Sequence, residues 1–150
     1  MNWGSLVVFV GFVGATAMLG GQWGADKWYD DLRKPGFTPA KWVFPVAWSI
    51  LYVMIAVAGW LVWQADDGPR TLALVIWFAQ LGLNAAWSYI FFGVKNIGAA
   101  LFEVAFLWLS IAAFIVVAWP VSQTAALLFV PYLIWVSIAA ALNFRIWQMN

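Results

Sequence analysis

The chain has 150 residues, of which 66% are hydrophobic, 19% aromatic and 9% charged, and its formal net charge is +1. That length suits one domain, but the composition is far from that of a soluble one and makes lipid the solvent for most of the surface. Cys and His are both absent, which excludes disulfides, thiolate nucleophiles, imidazole bases and most metal or haem ligation, and no basic cluster marks a nucleic-acid partner.

Charged positions leave uninterrupted gaps at residues 1–25, 42–65 and 71–94, and a longer one at 96–144 that contains only Glu103. A bilayer core of about 30 Å needs about 20 apolar residues per helix. The first three gaps therefore hold one span each and the last holds two, predicting an all-α bundle of five transmembrane helices in a single domain over 1–150.

Helix one is expected at about 4–24. It lacks a Lys/Arg-bearing leader, which points to a retained helix, and its small residues (Gly11, Gly14, Ala17, Gly20, Gly21 and Gly24 among them) read as tight packing against a neighbour. A charged, Pro-containing loop follows at 25–42 and is read as the lid of a pocket. Helix two is expected at about 44–64, with Pro45 tolerated in its first turn, where its missing N–H would be unpaired anyway. Gln64 to Arg70 reads as a turn broken by Gly68-Pro69, and helix three as about 71–92. The short Gly93–Asn96 link allows only an antiparallel neighbour, helix four, at about 97–118. Helix five, at about 125–147, carries Pro131 as a kink. Five spans put the termini on opposite sides. Lys27, Arg33, Lys34, Lys41, Lys95 and Arg145 fall on one face and Arg70 on the other, so the positive-inside bias places the long loop and the C-terminus in the cytoplasm.

Indole favours membrane interfaces, and depth sorts the 13 tryptophans. Trp3, Trp60, Trp63 and Trp119 fall at outer helix ends, and Trp23, Trp28, Trp42 and Trp147 at or near the loop side; anchoring accounts for these eight, although Trp28 and Trp42 also flank the lid. Trp77 fits either class. Trp48, Trp87, Trp108 and Trp135 fall inside the slab. Helical spacing sets Trp48 with Tyr52, Trp87 with Asn84, Gln80 and Phe91, and Trp135 with Ala139 and Leu142. Polar groups at that depth belong in the bundle interior. Two readings fit them: interhelical packing and hydrogen bonding, or the wall of a pocket for a large, flat, mostly apolar ligand. Glu103, about six residues into its span, is expected to snorkel.

Several motifs carry a resemblance: Trp28-Tyr29 through Lys34-Pro35, Trp42 to Trp48 with Leu51-Tyr52, Gln80-Leu81 with Asn84 and Trp87, Phe91-Phe92-Gly93 with Lys95, Val130 to Trp135, and Leu142-Asn143-Phe144. Together they resemble the TspO/MBR family of tryptophan-rich sensory proteins and translocator proteins, also called peripheral-type benzodiazepine receptors, over nearly the whole chain. The resemblance implies a five-helix bundle, commonly a homodimer, with one pocket per subunit closed by the first loop. It also implies binding of porphyrins such as protoporphyrin IX, of isoquinoline carboxamide and benzodiazepine drugs and, in animal mitochondria, of cholesterol. Carried over by position, the ligand-binding residues are Phe44, Trp48, Tyr52, Asn84, Trp87, Trp135, Ala139 and Leu142, and Trp28, Tyr29, Phe37 and Trp42 form the lid. A Thr at Ala139 would intrude on the cavity. Glu103 falls where animal members carry an acid.

The chain also departs from the family pattern. Phe37 stands for a Trp of the loop motif, which here has one proline fewer, and Phe144 with the adjacent Arg145 does not fit the proposed cholesterol-recognition pattern. The leading expectation is a receptor for tetrapyrroles or similar flat ligands that regulates tetrapyrrole or stress responses, with no cofactor and no metal site. Two alternatives are light- and oxygen-dependent porphyrin degradation using Trp48 and Trp135, since no ordinary catalytic constellation is present, and, more weakly, transport of tetrapyrrole or sterol, for which no internal repeat speaks. Gly82 and Ala86 at small-xxx-small spacing offer a face for self-association.

Overall fold

A computed structural model describes residues 2–66 and 68–150; Asp67 of the expected 64–70 turn lies outside them. Its helices are α1 (Trp3–Gly21), α2 (Lys27–Asp31), α3 (Val43–Gln64), α4 (Arg70–Ser88), α5 (Ile97–Ala118), α6 (Gln123–Leu128) and α7 (Val130–Met149). Five stretches are long and apolar enough to cross a membrane: Trp3–Gly21, Val43–Gln64, Arg70–Gly93, Ile97–Ala118 and Gln123–Met149. They make an integral, multi-pass, all-α bundle. α1 lies between α3 and α4, α5 packs on α4 and α7 on α5, and α6 closes the ring back onto α3.

Local chemistry explains where the chain departs from the simple five-span reading. The expected loop at 25–42 contains the short helix α2, because Asp26 caps its first turn by accepting from the Tyr29 N–H at 3.2 Å. Beyond Ser88, α4 widens into a π turn over Tyr89–Gly93, where the Val94 N–H donates to the Tyr89 carbonyl at 2.8 Å. Lys95 then adopts φ 63°, a left-handed conformation that costs a side chain about 1–2 kcal/mol. The reversal is fixed from both sides: the Asn96 N–H donates to the Ile90 carbonyl at 3.1 Å, and the Asn96 side chain caps α5 at Ala99 N. The expected kink in helix five falls at Phe129, a single residue of helical backbone angles between α6 and α7, after which Pro131 occupies the first turn of α7, where no N–H is required.

The core is aromatic and tightly keyed. Trp77, Tyr132, Phe114 and Phe129 are fully buried, and the Phe114 and Phe129 rings lie 4.0 Å apart. Trp60, expected as an interfacial anchor, is only 5% exposed; its indole donates to Asn2 O at 3.0 Å and Ser5 Oγ at 3.1 Å, tying α1 to α3. The indole N–H is satisfied by a second lone pair of the Asn2 carbonyl and by the Ser5 hydroxyl, so burial replaces anchoring. Glu103 does not snorkel: both its carboxyl oxygens are buried and meet no partner among the described residues.

Candidate ligand-binding cavity

The segment between α1 and α3 is fastened at many points. Lys34 Nζ donates to the carbonyls of Tyr29 (2.7 Å), Leu32 (3.1 Å) and Asp30 (3.2 Å), closing the C-terminal end of α2 as Asp26 closes its start. The same ammonium lies 4.6 Å from the centre of the Tyr29 ring. Asp26 meets Lys95 at 3.5 Å and Asp30 meets Lys41 at 3.0 Å. The Tyr29 N–H, aided by Lys95, holds the Asp26 carboxyl below its usual range, whereas burial raises the Tyr29 phenol and keeps it protonated. Asn150 grips the backbone of Arg33 from both sides, accepting from its N–H at 3.1 Å and donating to its carbonyl at 2.9 Å.

Beneath this roof lies a cavity of about 480 Å³, within the usual range of about 300–1,000 Å³ for small-molecule sites. Its α3 wall is aromatic, because Phe44, Trp48 and Tyr52 recur every four residues on one face. Trp87, Ser88 and Phe92 close the α4 side, and Tyr29 and Lys41 stand at the roof. The opposite wall is Ala17, Gly20, Gly21 and Gly24 of α1 and the residues after it. There the missing side chains are the cavity: a Cβ on Gly21 or Gly24 would meet nothing within 4 Å, and one on Gly20 would come no nearer than 3.4 Å to Ser88 Oγ and 3.8 Å to Tyr52 Oη. Gly21, Gly24, Pro45 and Ser49 line the cavity and are also exposed, so it continues between α1 and α3 to the outer surface of the bundle.

Of the residues expected to bind ligand, Phe44, Trp48, Tyr52 and Trp87 converge on the cavity, and so does Tyr29 of the expected lid. Asn84 stands one layer behind, buried, where it accepts from the Tyr52 hydroxyl at 3.3 Å and donates to Tyr132 Oη at 2.7 Å; Tyr132 in turn donates to Gln80 Oε1 at 2.8 Å. Trp135 lies outside the cavity. Its ring stands at 90° to Trp48 with centroids 6.3 Å apart, and it also lines an apolar groove of about 280 Å³ between α3 and α7. Ala139 and Leu142 bound a void of only about 20 Å³ that they share with Tyr29, Phe44 and Trp87. In the expected lid, Trp28 packs edge-on against Phe91 under the Lys95 ammonium, while Phe37 and Trp42 are 52% and 70% exposed and cover nothing in the cavity.

The sequence reading missed the α1 wall together with Trp23, Lys41, Ser49, Ser88 and Phe92. The usable signal is the spacing of Ala17, Gly20 and Gly21 along one face of α1, continued by Gly24 just beyond it, which in sequence reads as close packing. Close packing is found instead at Gly59, where a Cβ would lie 2.5 Å from Trp77.

The polar groups around the cavity are largely committed inward. Trp87 Nε1 donates to Asn143 Oδ1 at 3.1 Å, Asn143 donates onward to the Ile97 carbonyl, and Ser49 Oγ donates to the Pro45 carbonyl at 2.6 Å. No Asp, Glu, His or Cys is found among the described residues that line it. The arrangement can hold a flat, largely apolar molecule by stacking and shape, and it offers no set of metal donors.

Residues 5–148 match the model of the TspO/MBR family. The chain is 39% identical to the tryptophan-rich sensory protein of Cereibacter sphaeroides over 150 residues, covering 100% of this chain and 94% of that one. It is 37% identical to protein CrtK of Rhodobacter capsulatus, covering 97% and 94%, and 36% identical to the translocator protein of Bos taurus, covering 93% and 83%.

Proposed function

The chain belongs to the TspO/MBR family, and from that membership and the cavity beneath its first loop we propose that it is a membrane receptor for porphyrins and related flat, mostly apolar molecules, acting in tetrapyrrole or stress responses. The single observation that carries this reading is the convergence of Phe44, Trp48, Tyr52 and Trp87 on one cavity of about 480 Å³. With no His or Cys in the chain, a metal-free porphyrin and haem should bind alike.

Titration of protein in nanodiscs with protoporphyrin IX tests the proposal through quenching of Trp emission. Losing one stacked indole removes about 1.4 kcal/mol, so Trp48→Ala should raise the Kd about tenfold. An unchanged Kd in Trp48→Ala combined with Trp87→Ala would refute the site.

The adjacency of Trp48 and Trp135 favours a second reading, photo-oxidative porphyrin degradation, in which excited porphyrin and dioxygen draw electrons from these indoles. Product absorption bands that grow under light and oxygen, and not in the dark, are its signature; equal growth in the dark removes it.

We also propose a homodimer through the exposed α4 face bearing Leu72, Val75 and Gly82, since a Cβ on Gly82 meets nothing within 4 Å and such an edge lets two helices approach closely. Gly82→Leu should halve the sedimenting mass in detergent while porphyrin quenching persists; an unchanged mass rules this face out.

A further inference from the structure

Two observations about the cavity bear on how it is filled. The first is that its roof is fastened at many points, with the exposed Lys41 at its edge. Moving α2 aside would break the Lys34 cap on three carbonyls, the Asp26–Lys95 and Asp30–Lys41 pairs and the two-sided grip of Asn150 on Arg33, and would expose Tyr29, which is 3% exposed among Phe44, Phe91 and Phe92. Surface pairs are individually weak, but here they act on one short segment together with a buried ring.

The second observation is that the side is open. α1 and α3 are joined at their far ends by Trp60, by Trp3 stacked on it and by Phe9 against Gly59. Between residues 13–24, in and just after α1, and the loop-side half of α3, no hydrogen bond or ring contact is found among the described residues. The rim there is Gly21 at the end of α1 and Gly24 just beyond it on one side, and Pro45 and Ser49 of α3 on the other. Gly21 ends α1 and Ser49 lies six residues past Val43, about 9 Å along α3, so the opening runs from the helix ends down the apolar side of the bundle.

We propose that the cavity is filled sideways from the lipid on that side, a flat apolar molecule dissolved in the bilayer sliding edge-on between α1 and α3 across the Gly20–Gly21–Gly24 edge, while the loop stays in place as a fixed roof. The chemistry favours the lipid route. An apolar molecule concentrates in the bilayer by its own transfer free energy, about 25 cal/mol per Å² of surface, and a path under the roof through water would forfeit that gain. Glycine at the edge also leaves backbone alone to be passed. This inference rests on the proposal that the cavity holds such a ligand.

The absence of Cys makes the test clean. Gly21→Cys protein in nanodiscs is loaded with protoporphyrin IX, labelled with N-(1-pyrenyl)maleimide and then mixed with excess empty liposomes, and porphyrin release is followed by recovery of Trp emission. Labelling should slow release at least tenfold relative to unlabelled Gly21→Cys, and labelling before loading should slow uptake equally. A second variant, Lys34→Met, loosens the roof and should leave both rates unchanged. Release that ignores the label, or that quickens in Lys34→Met, overturns the sideways route and makes the roof the door. If the unlabelled protein shows no quenching by protoporphyrin IX, the ligand assignment itself falls.

Discussion

Gly59→Ala is expected to lower the melting temperature of the protein even though it removes a glycine from the interior of a helix. On propensity alone the change gains about 1 kcal/mol. Against that, the added methyl would sit 2.5 Å from Trp77 Cε2, 2.6 Å from its Nε1 and 2.8 Å from Phe9 Cδ1. Neither ring can retreat: Trp77 is fully buried, Phe9 is 4% exposed, and the two pack edge to face at 5.0 Å. Trp77 is also pinned by its hydrogen bond to the Ile55 carbonyl at 2.9 Å. Overpacking of this kind costs about 1–3 kcal/mol, and a displaced indole leaves a buried N–H without a partner at a further ~1–3 kcal/mol. The steric and polar terms outweigh propensity, for a net loss of about 2 kcal/mol and a fall of roughly 5 °C. Gly14→Ala is the control, since its Cβ meets nothing within 4 Å, and it should melt at or slightly above the parent temperature. A Gly59→Ala protein as stable as Gly14→Ala would contradict this account.

Those two glycines also show what the sequence could disclose. The spans were legible because every charge but Glu103 lies in a connection or near a helix end, and Trp119-Pro120 marks the one turn without a charge; the aromatic wall on α3 was legible because a four-residue repeat of rings declares a face. A glycine in a membrane helix records only that a side chain is missing. Whether a neighbour fills the space, as Trp77 does at Gly59, or the space stays empty, as at Gly21, is decided by the divergence of α1 and α3, which no local pattern encodes. The same limit applies to Trp135: its helical face was readable, but the packing of α7 beside α3 leaves that ring behind Trp48 rather than beside the cavity. Asp26, Tyr29 and Lys34 make α2 by capping its two ends, and in sequence they look like an ordinary charged loop.

Tyr132→Phe should be the most damaging single-atom change in the bundle. The Tyr132 hydroxyl accepts from Asn84 Nδ2 at 2.7 Å and donates to Gln80 Oε1 at 2.8 Å, and all three residues are at most 2% exposed. A hydrogen bond between membrane helices contributes only about 0.6 kcal/mol on average, so the loss of two bonds as such would be modest. What raises the cost is the amide left behind on each side, with neither water nor lipid able to replace the hydroxyl; a stranded buried polar group costs about 1–3 kcal/mol. Two of them bring the expected loss to roughly 2–6 kcal/mol. Tyr52→Phe removes the longer 3.3 Å bond at the edge of the same network and strands one buried group, Asn84 Oδ1, where Tyr132→Phe strands two, so it should cost about half as much. Because the penalty lies in stranded groups rather than in lost attraction, adding Gln80→Leu to Tyr132→Phe should restore part of the stability, with a coupling of about 1 kcal/mol or more in a double-mutant cycle. Unfolding in mixed detergent micelles measures all four proteins of the cycle. Strict additivity, or equal losses in Tyr132→Phe and Tyr52→Phe, would mean that the chain from Tyr52 through Asn84 to Gln80 does not act as a unit. Tyr132→Phe molecules that remain folded should still be quenched by porphyrin, because Tyr132 lines no part of the cavity, and its ring, which packs edge-on behind Trp48 at 6.3 Å, is kept by the substitution.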